Sequence, residues 1–132
     1  MDVIVCLDDR NGMLFHGRRQ SRDRKVIEDI QVHLEGKRFC ILPFSQKLFS
    51  PGDAVIINSL DLAGPGDLCF VEDRPLSPYF SQIQRLIIYR WNRHYPGDLF
   101  FDIDVSREGT LVSREEFPGY SHEKITKEIY RL

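Results

Sequence analysis

Residues 2–7, DVIVCL, form a nearly unbroken apolar run rich in β-branched side chains, stopped by Asp8 and Asp9. The run lacks the apolar–polar alternation of a strand with one wet face, so it is expected to be buried on both sides. That requirement puts a layer above and below a sheet and points to an α/β arrangement. The next segment fits this expectation. In 21–35, SRDRKVIEDIQVHLE, the residues Val26, Ile27, Ile30 and Leu34 fall on one helical stripe, with Ser21 as the expected N-cap and Gly36 as the stop.

Further strands are expected at 38–42 (RFCIL), 54–57 (AVII), 68–72 (LCFVE), 85–91 (RLIIYRW), 99–105 (LFFDIDV) and 110–117 (TLVSREEF). FSQKLF at 44–49 reads as one or two helical turns, and SLDLAG at 59–64 as a turn or short helix. PLSPYFSQI at 75–83 opens on prolines, as a short helix can. The tail HEKITKEIYRL is open. Ile125 and Ile129 have helical spacing, while Thr126, Ile129 and Tyr130 favour a strand. Alternating strands and helices imply parallel crossovers, and the last three strands imply an antiparallel run on one edge. The fold class expected is a three-layer α/β domain with a mixed, mainly parallel sheet. All of 1–132 is read as a single domain, since 132 residues at 42% hydrophobic suit one core and no linker interrupts them.

Charge excludes some functions. Eighteen basic and twenty acidic residues leave a net charge of -2, so the whole molecule is not an electrostatic nucleic-acid binder. No apolar run approaches the roughly 20 residues of a membrane helix, and MDVIVCLDD does not read as a signal peptide. Cys6, Cys40 and Cys69 each lie in an apolar run and read as buried reduced thiols, which favours the cytoplasm. No two are close in sequence, and His16, His33, His94 and His122 are scattered, so no metal site is expected. Each histidine reads as solvated. No Ser-His-Asp or Gly-x-Ser-x-Gly pattern is apparent along the chain.

The C-terminal third resembles dihydrofolate reductase. PGDLFFDID at 96–104 is similar to that family's "EGDTFFPEID", LVSREEF at 111–117 to "LVSREEH", and KEIYRL at 127–132 to "FEIYER". IVCLDDRNGM resembles "IVAVDENNGIG", and LEGKRFCIL at 34–42 resembles "LTLGKPVIMG". The likeness spans nearly the whole chain and is specific over about forty residues. It identifies a shortened, diverged member with a dihydrofolate reductase-like sheet, the deficit falling in 43–67.

The resemblance implies a catalytic acid at the start of the first helix, in a setting like "LPWxxPxDL". Asp23, in RRQSRDRK, is the candidate, but the Trp and both Pro are absent. Arg22 and Arg24 beside it are expected to lower its pKa, the wrong direction for a proton relay near neutral pH. The alternative reading of Asp23 is a first-turn acid that complements the helix dipole. A Thr that the family places beside the acid aligns with Tyr89. The family's NADPH-binding "GRxT" is replaced by ILPFSQ at 41–46, and its glycine pair by Glu72 and Asp73, which would repel a diphosphate. The chain is therefore expected to hold no such cofactor, or NADPH in an altered way if a reductase.

Two further stretches stand apart from the sheet. Arg18, Arg19, Arg22 and Arg24 precede or open the 21–35 helix, where cations oppose the helix dipole at a cost of about a few tenths of a kcal/mol each. They read as a grip on a small anion or nucleotide, as a contact with nucleic acid or an acidic protein, or as a solvated loop. Trp91, Arg93 and Tyr95 combine aromatic and guanidinium groups and read as a protein-interaction edge, or else as Trp91 filling the core end with Arg93 solvated. Asp102 and Asp104 read as one polar strand face. The leading expectation is a non-reductase binding or regulatory module with an anion- or nucleotide-binding cleft. The alternatives are an NADPH-dependent pterin reductase and a protein partner without a small ligand.

Overall fold

The structure is a computed structural model that describes residues 1–34 and 36–132. Its centre is a seven-stranded sheet. In chain order the strands are β1 (Asp2–Leu7), β4 (Phe39–Ile41), β5 (Val55–Ile56), β6 (Leu68–Phe70), β7 (Arg85–Arg90), β9 (Thr110–Phe117) and β10 (Ile125–Arg131). Across the sheet they run β5-β4-β6-β1-β7-β10-β9. β1 lies between β6 and β7 and is parallel to both. β10 is antiparallel to β7 and β9, giving the expected antiparallel C-terminal edge. A second sheet of three short strands, β3-β2-β8, is built from β2 (Gly12–Phe15), β3 (Arg18–Arg19) and β8 (Leu99–Phe100).

The unbroken apolarity of β1 is resolved by its two faces. Val3, Val5 and Leu7 join one core with Leu42, Leu60, Val71, Leu76, Leu86 and Ile88. Ile4 joins the other with Phe39, Ile41, Phe70, Ile87 and Tyr89, capped by Val26 and Ile30 of helix α1 (Arg24–Val32). The first face is covered by 3-10 turns rather than a long helix, Leu60–Leu62 and Ser77–Gln82, while Leu48 of the turn Pro43–Leu48 packs on the other face. Leu60 and Leu76 are fully buried there, each contributing roughly 2 kcal/mol by leaving water.

Several boundaries differ from expectation. α1 begins at Arg24, because Asp23 rather than Ser21 caps it, and it ends at Val32. His33 and Leu34 then bond back three residues, tightening the last turn, and Gly36 follows at φ +66°. Glu35, the last residue of the expected helix, lies outside the described residues. The strand expected over 99–105 stops at Phe100 and pairs with β2, not with the main sheet. Asp102 accepts from the Leu76 and Ser77 N–H groups at 2.8 and 2.9 Å. Asp104 caps the short helix α2 (Val105–Glu108). Carboxylates used as local caps compete with ladder bonds, which is why this alternating stretch does not extend. The tail is a strand.

Candidate functional site

The C-terminal ends of parallel strands are where open α/β sheets place ligands. Here the ends of β1, β6 and β7 deliver Asp8, Glu72 and Trp91 to one region, faced by the β2–β3 hairpin and the start of α1. The hairpin turns on His16 and Gly17, both at positive φ (50° and 70°), in keeping with a two-residue turn whose central residues are left-handed. It sets Arg18 opposite Phe15 and Arg19 opposite Leu14. Asp8 is buried and accepts from the Arg10, Gly12 and Tyr95 N–H groups, pinning both loops to the end of β1.

The arginines do not act alike. Arg19 donates Nη2–H to Glu72 Oε2 at 2.7 Å, with a second bond from Nε to Oε1, and Ser45 Oγ donates to the same Oε2 at 2.6 Å. This forked pair crosses from the hairpin to the end of β6 and the turn after β4. Arg19 is thus paired with an acid far off in sequence, Glu72. Arg24 sits over the Tyr120 ring at 4.4 Å. Among the described residues, Arg18, Arg22 and Arg24 belong to none of the arginine ion pairs, which join Arg19, Arg38, Arg74, Arg90 and Arg114 to carboxylates.

Two cavities flank the start of α1. One of about 540 Å³ is lined by Phe15, His16, Arg18, Arg19, Gln20, Tyr95 and Pro96, and none of these is acidic. The other, about 340 Å³, is lined in part by Arg22, Asp23, Arg24, Tyr120 and Ser121.

Asp23 is buried and fully engaged. Its Oδ1 accepts from the Lys25 N–H at 2.8 Å and the Tyr120 N–H at 2.9 Å. Its Oδ2 accepts from the Ser121 N–H at 2.9 Å and meets His122 Nδ1 at 2.8 Å. Burial alone would raise its pKa, but these four donors outweigh burial and hold the carboxyl well below the usual range. The direction is the one expected, with a different cause: amide and imidazole donors from the loop before β10, rather than the neighbouring arginines, which are exposed. Among the described residues the first turn of α1 contains no acid of its own. Asp23 is thus the cap, one position before the helix.

His122, expected to be solvated, is buried. Its Nε2 lies 3.0 Å from Ser21 Oγ and 3.1 Å from the Tyr95 hydroxyl, and its ring stacks on Trp91 at 4.7 Å. The Ser-His-Asp grouping not apparent along the chain is therefore present in space, as Ser21, His122 and Asp23. No local pattern could have revealed it, since His122 is about a hundred residues from its partners. The same packing corrects the reading of an aromatic edge. Trp91 is in the core, Tyr95 is half-buried and bonded to His122, and only Arg93 is exposed.

Tyr89 does not adjoin Asp23 by hydrogen bond. Its hydroxyl donates to Asp29 Oδ2 at 2.6 Å, beside Lys127 Nζ, which is 2.8 Å from the same oxygen. Burial and the Asp29 bond both push the phenol up. Of the thiols, Cys40 and Cys69 are buried and Cys6 is half-buried at the floor of this region. Burial pushes all three up, Cys69 to about 12. They are weak nucleophiles. The turn after β4 opens on Pro43, which has no N–H to offer a phosphate. Among the described residues no helix is long and apolar enough to cross a membrane.

No protein-family model matches the sequence. No curated protein matches it either. Among solved structures, the chain is similar to dihydrofolate reductase from Enterococcus faecalis, a complex with NADP(H) and RAB-propyl. The TM-score is 0.66 at 12% identity, covering 98% of this chain and 94% of that one. At that identity the likeness is one of architecture, and this chain has a dihydrofolate reductase-like fold.

Proposed function

We propose that the chain is a non-reductase binding module that holds a small anion, a phosphate-bearing nucleotide among the candidates, at the cavity beside the β2–β3 hairpin. The observation that carries this reading is the cavity wall, which presents Arg18, Arg19 and His16 and no carboxylate. Arg18 is exposed and free of carboxylate partners among the described residues, so an anion would gain its forked donors without breaking an existing pair. Two features weigh against a working reductase. Asp23 is spent on capping α1 and anchoring the loop at 120–122, with both oxygens occupied. The strand ends do not fit a diphosphate either, for Glu72 stands buried at the end of β6 and Pro43 removes a donor after β4. Three unpaired thiols agree with a reducing compartment such as the cytoplasm.

The test is a melting-temperature series with inorganic phosphate, nucleoside mono-, di- and triphosphates, dihydrofolate and NADPH. A ligand at 100 times its Kd stabilises the fold by about 2.7 kcal/mol, a shift of several degrees. The expected result is a shift with at least one phosphate-bearing ligand that Arg18→Ala removes and Arg22→Ala, on the other cavity, leaves in place. No shift with any of them removes the proposal. A shift with dihydrofolate that survives Arg18→Ala returns the reading to a pterin site.

A further inference from the structure

The buried network around His122 has a geometry that a helix cap alone does not require. Asp23 Oδ2 lies 2.8 Å from Nδ1, so the imidazole is held with its proton on Nδ1 and its lone pair on Nε2. That lone pair faces Ser21 Oγ at 3.0 Å. The imidazole plane is fixed by Trp91, stacked at 4.7 Å with 20° between the planes. Asp23 is itself oriented by three backbone N–H groups, as a buried carboxylate behind a catalytic imidazole must be. Ser21 is half-buried, and its neighbours Gln20 and Arg22 line the two cavities on either side. The Tyr95 hydroxyl lies 3.1 Å from the same Nε2 and 3.4 Å from Ser21 Oγ, so it shares that lone pair with Ser21 at rest and becomes a free donor beside Ser21 once Nε2 has taken a proton.

We propose that Ser21, His122 and Asp23 form a nucleophilic relay acting on small anionic carboxylic esters, with Ser21 as nucleophile, His122 as base and Asp23 as the residue that positions His122. Ser21 Oγ attacks the ester carbonyl carbon while its proton passes to His122 Nε2, forming a tetrahedral intermediate whose oxyanion accepts from the Tyr95 hydroxyl. The carbon–alkoxide bond then breaks, and His122 returns the proton to the leaving alcohol. Water, deprotonated by His122, attacks the acyl-Ser21. The carboxylic acid departs and Ser21 regains its proton. The arginines on both cavity walls set the preference for an ester that carries a negative charge. The relay itself is carried by the side-chain network, and its preference for an anionic ester rests on the same arginines as the anion-binding reading.

The experiment treats the full chain with a fluorophosphonate probe and locates the adduct by peptide mass spectrometry, alongside release of 4-nitrophenol from mono-4-nitrophenyl succinate. The expected result is an adduct on Ser21, absent in Ser21→Ala and formed at least 100-fold more slowly in His122→Gln, whose folding is confirmed by its melting curve. Asp23→Asn is expected to slow labelling at neutral pH and to recover part of the rate at alkaline pH, a profile that loss of a structural cap would not produce. A folded wild-type chain with no adduct on Ser21 overturns the proposal. So does a folded His122→Gln chain that labels as fast as wild type.

Discussion

Asp23 accepts N–H groups from Lys25, Tyr120 and Ser121 and a bond from His122, so removing it leaves several buried donors without partners. A lost N-cap costs about 0.5–2 kcal/mol and an unsatisfied buried donor about 1–3 kcal/mol. Asp23→Ala is therefore expected to destabilise the fold by roughly 3–5 kcal/mol in urea unfolding. The sign with pH follows from the depressed carboxyl. The stabilisation is complete above the ordinary carboxylate value of about 3.9 and is lost as pH falls through the folded value. Asp23→Asn should unfold with a weaker dependence on acid than wild type between about pH 5 and pH 2, measured by urea midpoints followed through Trp91 fluorescence. The candidacy of Asp23 and the direction of its shift were legible from the sequence. The cause was not, because Tyr120, Ser121 and His122 approach from almost a hundred residues away.

At the scale of elements, the Arg19–Glu72 pair joins β3 to the end of β6, and the loop before β10 docks on α1. Glu72 is buried, so Arg19→Ala strands a charge and is expected to cost roughly 3–5 kcal/mol. Arg18→Ala, on an exposed side chain, should stay within about 0.5 kcal/mol. Equal costs for the two in denaturant unfolding would contradict this division. The docked loop depends on Gly119, where a Cβ would meet Asp23 Oδ2 at 2.7 Å and the His122 carbonyl oxygen at 2.8 Å. Gly119→Ala is expected to destabilise by roughly 1–3 kcal/mol, read as a lowered urea midpoint. Strands such as DVIVCL and RLIIYR declared themselves by apolarity and β-branching, which act locally. The tail did not, since β10 is a strand through its pairing with both β7 and β9. The 99–105 stretch misled because Asp102 and Asp104 serve as caps for neighbouring turns.

At the scale of the whole molecule, the architecture is a dihydrofolate reductase-like fold. The parallel strands still deliver side chains to one edge of the sheet, as such sheets do. Around those strand ends stand the Arg19–Glu72 pair, the buried His122–Asp23 network and the arginine-lined cavity beside the hairpin. The resemblance reached the fold because sheet-building segments such as PGDLFFDID and LVSREEF carry it, and those residues shape turns and strands rather than chemistry. The central claim is that Asp23 is a structural carboxylate and not a donor of protons to a pterin. The most direct measurement is NADPH oxidation at 340 nm with dihydrofolate as acceptor. No turnover above the rate without protein is expected, for wild type and Asp23→Asn alike. Turnover by wild type that disappears in a folded Asp23→Asn chain would contradict it.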